Sequence, residues 1–200
     1  MITLAITGRS GCGKSTVTQR FAAQGIPCAD ADRIAREILL PGSPCLAQLT
    51  DAFGADILTG GVLDRHLLAD RAFATPEGTR RLSAITHPAI ISTVLARRDA
   101  AAQAGAWLFL IDAAVVIGSA LETEYDRLLV VTAPFETSVA RICARDGISP
   151  EMAARRLNAQ VPEQTLLEKA DYVIRNDSTR EALADRADAL IDMLRKEHHA

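Results

Sequence analysis

The chain has 200 residues, 48% of them hydrophobic, and a formal net charge of −3. A chain of this length and composition can bury a core, so we exclude wholesale disorder and expect one compact domain with room for a small insertion. The slight acidic excess offers no broad basic surface, so we expect no nucleic-acid partner.

The start of the chain predicts a strand, a loop, a helix and a second strand. Residues 2–7 are apolar and rich in β-branched side chains, which is typical of a buried strand. After a glycine-containing loop, residues 15–24 carry apolar side chains at helical spacing, and Gly25 ends the predicted helix. Residues 26–29 predict the second strand. This order of elements is typical of a parallel α/β sheet.

The middle of the chain, residues 31–105, is predicted to be mostly helical, with turn signals at residues 41–44, 59–61 and 75–76. A segment of this length exceeds a simple crossover between two strands. It therefore predicts an inserted helical subdomain, which runs into a long returning helix that starts after Pro88.

The remainder alternates again between strands and helices. Its apolar patterns predict strands at residues 107–112, 127–132 and 171–174, and helices at residues 134–146 and 150–159. Ser178 is predicted to cap the C-terminal helix. The predicted fold class is α/β, with a parallel sheet flanked by helices.

A phosphate-binding motif carries most of the functional information. Residues 8–15, GRSGCGKS, match G-x-x-x-x-G-K-[ST] at every fixed position and lie between a predicted strand and a predicted helix. In such loops the backbone N–H groups and the helix N-terminus face phosphate oxygens. Lys14 can reach the β- and γ-phosphates, and the Ser15 hydroxyl can ligate Mg²⁺. The expected nucleotide contacts are Gly8, Gly11, Cys12, Gly13, Lys14, Ser15 and Thr16.

Cys12 has two interpretations. We favour a small residue that fills a variable loop position. The alternative is a reactive thiolate whose pKa is lowered by the helix N-terminus.

Three aspartates follow predicted strands, where ligands of α/β folds bind. Asp30 and Asp32 come after the second strand, and one of them can accept the proton of an attacking hydroxyl. Either can instead cap the next helix, and the two roles can be divided between them. Asp112 ends the strand at residues 107–112, the place of the aspartate that holds Mg²⁺ in phosphate-loop proteins. The alternative for Asp112 is a strand-ending turn residue.

Arg141 and Arg145 are spaced for one helix face, and Arg155 and Arg156 lie on the next predicted helix. Such arginines can close over ATP and neutralise the transferring phosphoryl group. Spacing alone favours an ordinary solvated face.

The histidines and cysteines show no metal-ligand spacing. His87 with Pro88 is predicted to mark a helix start. Single cysteines are typical of a reducing compartment, and the longest apolar run, residues 106–117, is too short and polar to span a membrane. The first residues also lack the basic segment of a signal peptide. We therefore expect a cytoplasmic protein without a membrane partner.

With these residues in hand, the chain resembles the dephospho-CoA kinase family over nearly its full length. The phosphate loop, CADADRIAREILLPGSP (residues 28–44), ITHP (residues 85–88), RICARDGISPEMAARRLNAQ (residues 141–160) and KADYVIRND (residues 169–177) occur in the family's order.

The resemblance implies a phosphate-loop kinase core at about residues 1–35, 86–138 and 162–200, a helical substrate-binding insertion at about 36–85 and a lid at about 139–161. It implies transfer of the γ-phosphate of ATP to the ribose 3′-hydroxyl of dephospho-CoA, with Mg²⁺, in a monomer or small homo-oligomer. It implies Asp32 as the base and Arg141 as the lid arginine over the phosphates. The other expected roles are Lys14 at the phosphates, Arg145 on ATP, Asp32 and His87 on the substrate, and Ser15 and Asp112 on the metal.

Two positions depart from the family pattern. The family has a Pro-Leu-Leu-x-Glu segment after the central strand, whereas this chain has AVVIG at residues 114–118. That difference affects the expected contacts with the acceptor. Arg9 replaces a small loop residue, and we expect its side chain to point outward with little effect.

Three other functions stay open at this point. A related kinase of a nucleoside monophosphate or a metabolite alcohol would show similar motifs. A GTPase switch would need an Asn-Lys-x-Asp signature, which the sequence lacks. A non-catalytic nucleotide sensor is compatible with the altered segment at residues 114–118.

Overall fold

The structure is a computed structural model that describes residues 1–199, without the side chain of His199. The strands are β1 (Ile2–Thr7), β2 (Cys28–Asp30), β3 (Leu58–Thr59), β4 (Val62–Leu63), β5 (Leu108–Asp112), β6 (Arg127–Thr132) and β7 (Tyr172–Arg175). The helices are α1 (Lys14–Ala23), α2 (Ala31–Glu37), α3 (Pro44–Phe53), α4 (Arg65–Phe73), α5 (Pro76–Gln103), α6 (Phe135–Asp146), α7 (Pro150–Asn158), α8 (Glu163–Lys169) and α9 (Arg180–His199), with a 3₁₀ turn at Ala55–Ile57.

The main sheet has the strand order β2-β5-β1-β6-β7 and is parallel. Strand β1 lies in its middle, pairing with β5 on one side and β6 on the other. Side chains of β1 and β5 are buried on both faces, which explains why these strands read as continuous apolar runs. The predicted parallel α/β fold is confirmed.

The chain divides into two compact units, one formed by Met1–Ala29 with the segment from Arg98 onward, the other by Asp30–Arg97. In the first unit, α1 and α9 bury apolar side chains on the sheet. Phe21 of α1 and Leu194 of α9 are fully buried in the same cluster as Leu4 and Leu110 of the sheet. This packing fixes the start of α1 at the end of β1.

An ion pair joins α1 to α9. Arg20 donates from Nε to Asp188 Oδ1 at 2.7 Å and from Nη2 to Oδ2 at 2.6 Å, and this contact lowers the pKa of Asp188 below its ordinary 3.8. A lowered pKa stabilises the fold above the unfolded-state pKa, and the contribution disappears as the pH falls through the folded-state pKa.

Asp188→Asn should therefore unfold at a lower urea concentration than the wild type near neutral pH, by a modest margin because the pair is partly exposed. Urea titrations at neutral pH and well below pH 3.8 check this. A margin that stays constant between the two conditions would contradict the assigned ion pair.

The second unit has its own core and a feature that the sequence analysis missed. Leu46, Leu49, Ile57, Leu63 and Leu68 form the core. Strands β3 and β4 pair as a short antiparallel hairpin in a stretch that was predicted to be mostly helical. The Gly-Gly pair between them is a typical two-residue hairpin turn, so a signal was present.

The predicted helix start after Pro88 is wrong, because α5 runs through Pro88 without ending. A proline inside a helix loses one backbone hydrogen bond but does not force termination. The start lies at Thr75-Pro76, where Thr75 Oγ1 accepts from Gly78 N at 3.0 Å and Pro76 occupies the first turn. His87 therefore lies inside α5.

Two further details differ from the predictions. Thr179 Oγ1, rather than Ser178, accepts from Ala182 N at 3.2 Å and caps α9. Helix α8 was not predicted. Among residues 1–199, no helix has both the length and the apolar character that crossing a membrane requires.

Candidate phosphate-binding site

The phosphate loop connects the end of β1 to α1 in the middle of the sheet. At Gly8 a Cβ atom would lie 2.7 Å from Cys12 Sγ and collide with the carbonyl oxygen of Val131, so no side chain fits there. Gly13 has φ +97°, a conformation that favours glycine. The steric contacts at Gly8 and the positive φ at Gly13 explain why both fixed glycines of the motif are needed.

Several loop amides are free to bind an anion. The N–H groups of Gly13 and Ser15 donate no hydrogen bond to any residue in the described part of the chain. The amides of Cys12 and Thr16 bond to Arg9 O at 3.1 Å and to Gly13 O at 3.0 Å. The free amides and the N-terminus of α1 together suit a phosphate group.

Lys14 and Asp112, predicted separately from the sequence, are brought together. Lys14 Nζ forms an ion pair with Asp112 Oδ1, and Thr18 Oγ1 donates to Asp112 Oδ2 at 2.8 Å. The pairing follows from the sheet, because Ile6 at the end of β1 lies opposite Asp112 at the end of β5. Asp112 is only 7% exposed, and a buried carboxylate needs such partners. Lys14 balances its charge, and the Thr18 hydroxyl satisfies its second oxygen.

The oxygen donors present fit a magnesium ion that arrives with a nucleotide. Ser15 is exposed at the start of α1, and its hydroxyl and the Asp112 carboxylate are the hard oxygen ligands that Mg²⁺ prefers. No group of three or more His, Cys, Asp or Glu residues within residues 1–199 is arranged to hold a metal. Magnesium in kinases typically takes one or two protein ligands and completes its shell with phosphates and water.

Two side chains from distant segments form hydrogen bonds with the phosphate loop: Gln160, which follows α7, and Arg141, which lies on α6. Gln160 Oε1 accepts from Ser10 N at 3.0 Å, and Gln160 Nε2 donates to Ser10 Oγ at 2.9 Å. Arg141 Nη1 donates to Gly11 O at 3.2 Å. Arg141 therefore lies beside the phosphate loop, whereas Gln160 was noted only as part of a family segment.

Arg9 does not point outward, which corrects the expectation for this residue. Its Nη2 donates to Leu157 O at 2.5 Å, near the end of α7, and its Nε is buried without a hydrogen-bond partner among the described residues. The substitution of a small loop residue by Arg9 thus adds a direct bond between the phosphate loop and α7.

Arg145 lies at the exposed end of α6. It donates to its neighbour Asp146 from Nε at 2.7 Å and from Nη2 at 2.9 Å, and Arg156 pairs with the same carboxylate. These arginines hold the pKa of Asp146 below its ordinary value. The structure pairs Arg145 with an acid rather than with the loop, and its role on ATP stays a prediction.

Cys12 is 2% exposed, and burial raises the pKa of its thiol. Burial therefore favours the interpretation as a filling residue over the reactive-thiolate hypothesis.

Iodoacetamide should therefore label Cys12 more slowly than free cysteine and more slowly than half-buried Cys143 in the native protein. Peptide mass spectrometry after timed labelling measures this. Cys12 labelling ahead of Cys143 would contradict the burial argument.

Comparison with known proteins decides the family. The sequence profile described as CoaE, dephospho-CoA kinase, matches residues 2–182. The chain belongs to the dephospho-CoA kinase family. The dephospho-CoA kinase of Corynebacterium jeikeium is 41% identical over 94% of this chain and 97% of the relative. That of Syntrophotalea carbinolica is 38% identical over 97% of this chain and 92% of the relative.

Solved structures agree with the fold of this dephospho-CoA kinase family member. The crystal structure of TT1252 from Thermus thermophilus has a TM-score of 0.81 at 30% identity and covers 96% of this chain and 97% of its own. The dephospho-CoA kinase from Campylobacter jejuni has a TM-score of 0.75 at 26% identity and covers 98% of both chains. Shikimate kinase from Acinetobacter baumannii, at 17% identity and a TM-score of 0.55, shares the fold alone.

The segment that departs from the family pattern lines a cavity beside the loop. Residues 114–117 form one wall of a space of about 260 Å³, which Gly8, Arg9 and Gln160 also line. The segment is attached to β1, since Thr7 Oγ1 donates to Ala114 O at 3.2 Å. Its side chains make this wall apolar, without the glutamate of the family pattern. A second cavity of about 310 Å³ adjoins the loop at Arg9 and Cys12.

The family's Asp-x-Asp motif and His-Pro segment belong to the second unit. Asp30 Oδ1 accepts from Arg33 N at 2.8 Å and caps α2. Asp32 lies exposed in the first turn of α2, and His87 is exposed on α5. Asp30 thus caps α2. The role of the base that takes the hydroxyl proton stays a prediction for Asp32.

Proposed function

We propose that this protein transfers the γ-phosphate of ATP to the ribose 3′-hydroxyl of dephospho-CoA, giving CoA and ADP. The match to the dephospho-CoA kinase family over residues 2–182 carries the choice of acceptor. The loop geometry supports the reaction class, because free amides, a lysine and a buried aspartate meet at the end of the central strand.

On the donor side, the amides of Gly13 and Ser15 bind phosphate oxygens of ATP. Lys14 exchanges its contact with Asp112 for the β- and γ-phosphates and spreads the charge that develops during transfer. Gly8, Gly11, Cys12 and Thr16 are the remaining predicted loop contacts, and the amides of Cys12 and Thr16 would share their present bonds to Arg9 O and Gly13 O with the nucleotide.

Ser15 and Asp112 are the residues that would hold magnesium. The ion would supply positive charge against the phosphates of bound ATP. When Lys14 moves from Asp112 to the phosphates, the Asp112 carboxylate would become available as a metal ligand.

On the acceptor side, Asp32 orients the 3′-hydroxyl and takes its proton. It follows β2, and parallel α/β folds bind ligands beyond the carboxyl ends of their strands. His87, which follows the helical insertion at about residues 36–85, contacts the substrate together with that insertion. Residues at about 139–161 act as a lid over ATP, in which Arg141 already lies beside the loop and Arg145 closes onto the nucleotide.

We further infer a monomer or small homo-oligomer that works on dissolved small molecules in the cytoplasm, without nucleic-acid or membrane partners. The acidic net charge supports the absence of a nucleic-acid partner.

An ADP-release assay with ATP, Mg²⁺ and a panel of acceptors tests the proposal. Dephospho-CoA should give the highest kcat/KM, with nucleoside monophosphates and simple alcohols near the rate without acceptor. Lys14→Ala, purified in parallel, controls for contaminating kinases and should be inactive. A higher kcat/KM for another acceptor, or ATP binding without any transfer, would overturn the proposal.

A further inference from the structure

Asn176, which follows β7, lies against the outside of the phosphate loop. It is 4% exposed, and both ends of its side-chain amide are bonded. Nδ2 donates to the carbonyl oxygen of Cys12 at 2.8 Å, and Oδ1 accepts from Arg141 Nη2 at 3.4 Å. Arg141 in turn donates to Gly11 O, so two successive loop carbonyls are held by one connected pair of side chains.

The bond to Cys12 O fixes the direction of the next amide. In a planar trans peptide the C=O and the following N–H point in opposite directions. Because Asn176 holds the Cys12 carbonyl on its own side, the N–H of Gly13 points away from Asn176. That N–H is one of the amides without a partner in the described part of the chain.

A steric contact joins the same two residues. A Cβ atom on Gly13 would collide with Asn176 Nδ2, so the asparagine fills the space beside this glycine. Since Oδ1 is engaged by Arg141, the amide cannot turn over without losing both bonds. The Cys12–Gly13 peptide is therefore held in one orientation before any ligand arrives.

We propose that Asn176 is a positioning residue for phosphate binding. It turns the Gly13 amide toward the triphosphate and keeps Arg141 beside the loop. This inference rests on the proposed binding of ATP and adds a residue whose effect passes through the loop backbone.

Asn176→Leu tests it, since leucine has a similar volume, no charge and no hydrogen-bonding group. The Kd for ADP should rise roughly 10-fold to 100-fold, because a buried carbonyl loses its donor and the peptide is free to rotate. The Kd for adenosine, which has no phosphate, should stay within about twofold of the wild type. Calorimetry for ADP and NMR titration for adenosine give the two values. Val173→Ala, on the exposed face of β7, is the matched control and should leave both unchanged.

Wild-type ADP affinity in a folded Asn176→Leu protein would overturn the inference, as would equal losses for ADP and adenosine. Should that variant not fold, NMR of the wild type decides. The Asn176 side-chain amide protons should exchange slowly, and the Gly13 amide resonance should shift when ADP binds. Fast exchange, or no response at Gly13, would refute the assigned role. Neither measurement uses an acceptor. If dephospho-CoA is not the acceptor, only the proposed function fails. If the wild-type protein does not bind ADP, both the proposed function and this inference fail.

Discussion

Asp32→Asn should lower kcat for dephospho-CoA by roughly 10²-fold to 10⁴-fold, the usual contribution of a general base. Asparagine keeps the size and polarity of the side chain but cannot take the hydroxyl proton. The KM for ATP should change little, because Asp32 is not predicted to contact the nucleotide. Steady-state kinetics with dephospho-CoA at saturating ATP measures the effect.

Asp30→Asn is the matched control. Asp30 caps α2, and asparagine caps a helix as well as aspartate does, so this variant should keep the wild-type kcat and stability. Near-normal turnover in Asp32→Asn, or an equally large loss in Asp30→Asn, would remove Asp32 from the role of base.

Arg141→Ala should lower kcat by about 10³-fold or more, as expected for an arginine that neutralises the transferring phosphoryl group. The KM for ATP should rise as well, because Arg141 bonds to Gly11 O and to Asn176 and so supports the loop. Rapid-quench single turnovers separate the transfer step from nucleotide binding.

Arg155→Ala controls for the loss of a positive charge in the same region. Arg155 is exposed on α7, and its removal should leave the transfer rate unchanged. If Arg141→Ala weakens ATP binding while the transfer rate stays normal, then Arg141 contacts the ground state only.

The central strands could be predicted because each is an uninterrupted apolar run. Residues 2–7 and 127–132 form strands with the predicted bounds, and Asp112 ends the third as expected. The phosphate loop could also be predicted, because its motif is a short local pattern and its glycines are required for steric reasons. Local sequence thus determines both the elements and the donor loop.

Features that depend on contacts between distant parts of the chain could not be predicted from local patterns. Asn176 and Gln160 reach the loop from more than a hundred residues away, and no spacing rule connects them to it. Thr18 offered a weak signal, because it stands one helical turn after Lys14. The helix start predicted at Pro88 was wrong, because the flanking helical residues outweigh one lost hydrogen bond. The bounds of the insertion and the lid stay predictions.

We expect the altered segment at residues 114–118 to affect the turnover rate rather than the reaction class. It lines the cavity beside Gly8 with apolar side chains and leaves Lys14, Asp112 and Ser15 in place. This arrangement favours a working donor site with altered acceptor contacts.

Transfer of labelled phosphate from [γ-³²P]ATP to dephospho-CoA tests the account most directly. We expect the label in CoA at the ribose 3′ position, where a 3′-specific nucleotidase removes it, and no label in product made with Lys14→Ala. Label that remains in ATP, or that appears only in inorganic phosphate, would contradict the proposed reaction.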